Sequence, residues 1–230
     1  MGTTISFNRP DGEKVDGYLA EPAHAANASG IVVIQEWWGV NEQIRGVADR
    51  LAAAGYRALV PDLYRGKSTV EAEEAHHLMT GLNFADAASQ DIRGAVQFLK
   101  SRSSKVGVTG FCMGGALTLL AACMAPEIDA AVVWYGFPPL EYIDPTKIKA
   151  PLLGHWGTQD EFFKIAAVDQ LEDRLRAAKV TYDFHRYLAR HAFANETAVG
   201  PHRIAETQYD AVWSQQAWDR TFRFLGRSLG

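Results

Sequence analysis

Lys105-Val106-Gly107-Val108-Thr109-Gly110-Phe111-Cys112-Met113-Gly114-Gly115 carries an apolar, β-branched run into Gly-x-Cys-x-Gly, and an Ala/Leu-rich segment, residues 116–125, follows. The order is strand, sharp turn, helix, with a thiol at the apex. It is the cysteine version of Gly-x-Ser-x-Gly, whose flanking glycines leave out Cβ atoms that would collide in so tight a turn. Cys112 is therefore expected in a strained backbone conformation, its sulfur raised above the sheet edge at a helix N-terminus. There, unpaired N–H groups and the helix dipole favour a thiolate. Taken alone, the motif fits a core cysteine beside turn glycines equally well. The flanking sequence decides between the two.

On the N-terminal side, Gly30-Ile31-Val32-Val33-Ile34 is an unbroken apolar run, the mark of a strand buried on both faces, and it ends in Gln35-Glu36-Trp37-Trp38-Gly39. Residues 41–54 read as a helix stopped by Gly55, and residues 56–60 as a second strand closed by Pro61-Asp62. Residues 84–100 carry apolar positions Ile92, Ala95, Val96 and Leu99 at helical spacing, with Asn83 as N-cap. Before all of these, Asp11-Gly12 marks a hairpin turn.

On the C-terminal side, residues 130–135 and 152–156 are further strands, leaving through Gly136-Phe137-Pro138-Pro139 and Gly157-Thr158-Gln159-Asp160. Residues 165–178 form an amphipathic helix, residues 180–187 alternate as a half-exposed strand, and residues 204–225 read as mostly helical. Strands alternating with helices predict an α/β fold with a mostly parallel sheet covered on both faces. No linker or repeat divides the chain, so residues 1–230 read as one domain. In such sheets the ligand crevice lies at the carboxyl ends of the strands. Glu36, Cys112, Asp160 and His191 all fall just past predicted strand ends.

A net charge of −4, with no concentrated basic run, argues against nucleic acid. The longest apolar stretch is too short to span a bilayer, and no basic start followed by an apolar core suggests a signal peptide. Cys112 and Cys123 are the two cysteines; on one helix they stand about 16 Å apart, too far to bridge. A free, functional thiol fits a reducing cytoplasm. Glu71, Glu73, Glu74, His76 and His77 form a charged patch, but adjacent histidines diverge on a helix and His-Glu-x-x-His is absent, so no metal site is read there.

Cys112, Asp160 and His191 follow the chain order nucleophile, acid, histidine. A histidine can take the thiol proton and later return one, and an aspartate fixes its tautomer and stabilises the imidazolium. Backbone N–H groups of Met113 and Trp37 are the expected oxyanion-hole donors. Among the other histidines, His155 and His185 lie in predicted strands and read as packing residues, while His202 is the main rival to His191. Asp62 is the runner-up to Asp160, and Glu36 also fits a plain strand-end ion pair.

These residues resemble the dienelactone hydrolase family of α/β-hydrolases. Gln35-Glu36-Trp37-Trp38-Gly39-Val40-Asn41, Pro61-Asp62-Leu63-Tyr64, Gly110-Phe111-Cys112-Met113-Gly114-Gly115, Gly157-Thr158-Gln159-Asp160 and His191-Ala192-Phe193 each match a family block, in order along nearly the whole chain. The resemblance implies an α/β-hydrolase fold and a monomeric cytoplasmic hydrolase of small esters or lactones, with no metal or organic cofactor. It also implies that Glu36 hydrogen-bonds the resting thiol and helps generate the thiolate. Two departures stand out. Asn195 occupies the position where family members that act on dienelactone place a carboxylate-binding arginine, and Ala189-Arg190 replaces small residues before the histidine. Trp37, Trp38, Tyr135, Phe137 and Phe193, with Asn195, are then expected to line a more aromatic, neutral substrate pocket. Two other readings of the activated cysteine are a thiol redox sensor and a non-catalytic ligand-binding protein.

Overall fold

The computed structural model describes residues 2–201 and 203–230, so His202 lies outside the described residues. Its sheet has eight strands in the order β1-β2-β4-β3-β5-β6-β7-β8. They are β1 (Thr3–Asn8), β2 (Lys14–Ala20), β3 (Gly30–Ile34), β4 (Arg57–Pro61), β5 (Val106–Phe111), β6 (Ala130–Trp134), β7 (Leu152–Gly157) and β8 (Tyr182–Tyr187). The hairpin β1–β2 pairs antiparallel around Asp11-Gly12, and β2 pairs antiparallel with β4. From β4 to β8 every pairing is parallel. The sheet is thus mostly parallel, in an α/β-hydrolase arrangement.

Among the described residues, seven α-helices cross over or cap it: α1 (Glu42–Ala53), α2 (Ala72–Gly81), α3 (Phe84–Asp86), α4 (Arg93–Lys100), α5 (Met113–Met124), α6 (Ile165–Ala177) and α7 (Ala211–Leu229). Alternate residues of β3 serve opposite faces. Val32 and Ile34 join one apolar core with Leu99, Leu117 and Leu171; Ile31 and Val33 join the other with Leu51, Trp218 and Leu225. Both faces are therefore covered, which is why the central strands read as unbroken apolar runs. Edge strand β8 is covered less completely: Tyr187 alone is buried, and the expected alternation breaks at Phe184 and His185, both half-buried.

Two helices differ from their sequence reading. The stretch 84–100 is helical throughout but widens into a π turn at Ala87–Ile92. That turn carries the buried Asp91 carboxylate, which accepts from Arg9 at 3.1 Å and Arg65 at 2.9 Å. The last helix begins only at Ala211, capped by Asp210, whose carboxylate accepts from the Val212 and Trp213 N–H groups. Residues just before it are spent otherwise. Thr207 bridges His191, and the N–H groups of Gln208, Tyr209 and Asp210 donate to carbonyls of His191, Ala198 and Phe193. A helix there would forfeit those bonds.

Candidate active site

Cys112 sits between β5 and α5 at φ 53°, ψ −114°. An L-residue in that region is strained and persists only where its surroundings hold it. Here the Cys112 N–H donates to Trp134 O at 3.0 Å, and the Cys112 carbonyl accepts from Ala116 at 3.2 Å. A Cβ at Gly110 would run into the Gly114 backbone, and one at Gly114 into the Ile34 carbonyl. The two glycines are thus fixed by close backbone approach, as the motif requires.

Asp160 follows β7 and is buried. Its Oδ1 accepts from the N–H groups of Phe162 and Phe163 at 2.8 and 2.9 Å, which turns Oδ2 toward His191 Nδ1 at 2.7 Å. His191 lies in the loop after β8, only 4% exposed. Neighbouring backbone bonds tie that loop to the end of β7, with Thr158 donating to Tyr187 O and Gln159 to Ala189 O. With Nδ1 engaged by Asp160, Nε2 is the ring nitrogen left for proton exchange with Cys112, which lines the same cavity. Burial alone would lower the His191 pKa; the Cys112 charge and the bonds to Asp160 and Cys112 outweigh it and raise it to about 10.

Glu36, two residues past β3, is also buried. Its pKa is raised by burial and drawn back by His191, Asn195 and Tyr135. Asn195 Nδ2 donates to Oε2 at 2.7 Å, and the Tyr135 hydroxyl donates weakly to Oε1 at 3.4 Å. The thiol is not among the side-chain partners of Glu36 in the described residues. The partners of the carboxylate in this structure are Asn195 and Tyr135, in place of the thiol that the family resemblance implies.

A cavity of about 1540 Å³ opens onto Cys112 and His191. Trp37, Trp38, Met113, Phe137 and Asn195 are among the residues that line it. Met113 is the first residue of α5, so its N–H has no intrahelical acceptor. Tyr135 and Phe193 do not line the cavity. Each is fully buried, Tyr135 at φ 38° immediately after β6, and their rings pack on each other at 5.3 Å. Tyr135 also meets the His191 ring edge at 5.2 Å, so both aromatics support the site from behind. Asn195 reaches the cavity with its polar atoms already engaged, since Oδ1 accepts from the Thr197 N–H and hydroxyl while Nδ2 holds Glu36.

Phe162 and Phe163 were missed in the sequence. Their rings lie 5.0 and 5.6 Å from that of His191, and their amides orient Asp160. The signal was available in Asp160-Glu161-Phe162-Phe163: an aspartate followed two and three residues later by free N–H groups forms an Asx turn. Arg190 is exposed and donates to Ala205 O at 3.1 Å, stitching the histidine loop to the segment before α7. Asp62 accepts from Tyr64 and Gly66 within its own turn and has no part in the triad geometry. Cys112 and Cys123 are both free. Among the described residues no helix is long and apolar enough to cross a membrane.

Comparison with known proteins adds a separate line of observation. The model of the dienelactone hydrolase family matches residues 15–229. The chain is 35% identical to protein usf of Aquifex pyrophilus over 240 residues, covering 100% of both chains. It is 32% identical to an Aquifex aeolicus protein named "Putative carboxymethylenebutenolidase", covering 98% of both. A solved structure, the dienelactone hydrolase-like promiscuous phosphotriesterase P91 from metagenomic libraries, superposes with a TM-score of 0.86 over 100% of this chain and 99% of that one; at 23% identity it supports the fold.

Proposed function

Because the chain belongs to the dienelactone hydrolase family, we propose that it is a hydrolase of carboxylic esters or lactones with Cys112 as nucleophile. The observation that carries this reading is that Cys112 and His191, from different strand ends, line one cavity, while the buried Asp160 behind them divides its oxygens between backbone amides and the imidazole.

The raised His191 pKa supports an imidazole able to take up and hold the proton that the thiol gives up. The Cys112 sulfur attacks the ester carbonyl carbon, and the carbonyl electron pair moves onto oxygen. That oxyanion is stabilised by the N–H groups of Met113 and Trp37; losing one such donor costs about 3–4 kcal/mol of barrier in acyl-transfer enzymes. Collapse breaks the carbon–oxygen bond, and the leaving alkoxide takes the proton from His191. Water then attacks the acyl-thioester, giving its proton to His191, and the carboxylic acid and thiolate are released. Glu36 acts from behind, as a buried acid whose charge state responds to that of His191.

Cys112→Ala is expected to abolish hydrolysis of short aryl esters with the far-ultraviolet circular dichroism unchanged. Cys112→Ser should keep little activity, since a hydroxyl ionises far less readily. Undiminished turnover by the alanine variant would reject the assignment.

A further inference from the structure

The cavity is larger than a small lactone needs, and one of its walls is a continuous apolar strip. About 1540 Å³ exceeds the roughly 300–1,000 Å³ of most small-molecule sites. Helix α5 starts at the nucleophile, and Met113, Ala116, Leu120 and Met124 line the cavity at i, i+3, i+7 and i+11. That spacing is one helix face. It forms a strip about 16 Å long leading away from Cys112. The same cavity is walled by Met79, Leu82 and Phe84, and by Phe137, Pro139 and Tyr142. None of these side chains is charged.

Which half of an ester would lie there follows from the chemistry. The leaving oxygen must sit beside His191 to receive its proton, whereas the acyl carbon stays on the sulfur. The acyl group is therefore the half that can extend along α5. Around the mouth, Val70, Tyr142 and Phe162 are 86%, 65% and 52% exposed, an unusual grouping of large apolar side chains on a surface.

We propose, on the ester-hydrolase reading above, that the preferred acyl group is a long unbranched apolar chain of about eight to twelve carbons, laid along the α5 face. A strip of 16 Å accommodates about twelve carbons in extended form. Each buried methylene is worth about fourfold in binding where it contacts apolar wall on all sides. No polar group is required beyond the oxyanion donors, which suits a wall where the Asn195 amide is already committed to Glu36.

The test is a series of p-nitrophenyl esters from acetate to dodecanoate, held below their aggregation limits. The expected result is a kcat/KM that rises at least tenfold from butyrate to decanoate. Leu120→Trp, which fills the strip midway, should lower the decanoate-to-acetate ratio of kcat/KM at least tenfold. Met124→Trp, at the partly buried far end and easier for the fold to accept, should lower the ratio for dodecanoate and spare octanoate. A flat or falling profile in the unmodified enzyme, with acetate still hydrolysed, overturns the acyl-strip inference and leaves the hydrolase reading standing. Unchanged ratios in both tryptophan variants would also overturn it. Absence of hydrolysis across the whole series overturns the hydrolase reading itself.

Discussion

His155 and His191 are both buried, one in β7 and the other past β8, yet their surroundings drive them to opposite charge states. His155 is enclosed by hydroxyls, with Nδ1 2.8 Å from the Tyr187 oxygen and Nε2 2.9 Å from that of Thr221. Burial pushes its pKa well below the usual histidine value, with His185 and Arg220 adding to the effect. His191 experiences the same loss of water, but Cys112 and Asp160 reverse the outcome and hold it near 10. Desolvation removes a proton from a histidine; a paired anion puts it back. One pocket is thereby a structural joint and the other a candidate proton carrier, although both residues are buried histidines, one in β7 and one in the loop after its neighbour β8.

The most severe way to break this contrast is Asp160→Asn. The amide oxygen can still accept from Phe162 and Phe163, so the loop should survive. His191 loses its anionic partner and its enforced tautomer. The expected loss in kcat is about 10³- to 10⁴-fold, from the magnitude seen when such an aspartate is neutralised. A nuclear magnetic resonance titration of the ring should show its pKa moving down toward that of His155. An unchanged rate would remove Asp160 from the mechanism.

The corresponding change in the other pocket is Thr221→Val, which is nearly isosteric and strands His155 Nε2 without a partner. A buried group left unpaired costs about 1–3 kcal/mol, so the denaturant midpoint should fall by that amount of stability with ester turnover unaffected. A drop in kcat with stability intact would mean that the two pockets are coupled after all.

Stability against pH separates the two histidines without any mutation. His191 has a raised folded-state pKa, so its contribution is fully present below about 6.5 and is lost as pH climbs toward about 10. His155 has a depressed one, so the unfolded chain gains the proton first and stability is lost as pH falls below about 6.5. Each limb is limited to about 1.4 kcal/mol per pH unit. Cys112→Ala should move the alkaline limb to lower pH, because it removes the strongest influence holding the His191 proton, while the acid limb stays in place.

How much of this could be read from the chain depends on the range of the interaction. The glycine-flanked turn at Cys112 and the buried strands were legible because a tight turn and two-sided burial leave local signatures in Gly110, Gly114 and Ile31–Ile34. The order Cys112, Asp160, His191 was legible because each follows a strand end. Tyr135 and Phe193 were misread as pocket walls, since whether an aromatic at a strand end faces a cavity or backs it depends on a backbone φ of 38° and on rings from other strands. The late start of α7 was hidden for the same reason: residues 204–210 have helical composition but bond to the histidine loop, a contact with no local trace. The partners of Glu36, contributed by residues 135 and 195, could only be seen once the chain was folded.

Glu36 offers the mildest perturbation and the sharpest question about the His191 pocket. Burial raises its pKa, so the native state favours the protonated carboxyl, and its charged form weakens stability as pH rises past the ordinary carboxylate range. In Glu36→Gln, the amide oxygen can keep the Asn195 bond, and the new NH₂ can donate to the Tyr135 hydroxyl, which is able to accept as well as donate. The geometry is thus preserved while the charge is removed. At pH 7 the variant should be more stable by about 0.5–1 kcal/mol, since burying an amide with its partners costs less than burying a carboxylate. At pH 4, where the parent carboxyl is protonated, the difference should vanish. A gain confined to neutral pH would show that the site keeps a charge the fold would rather lose, which is the signature of a group retained for its effect on the adjacent imidazolium. A loss at both pH values would instead make Glu36 a packing partner of Tyr135 and Asn195, and the His191 pocket would then owe its raised pKa to Cys112 and Asp160 alone.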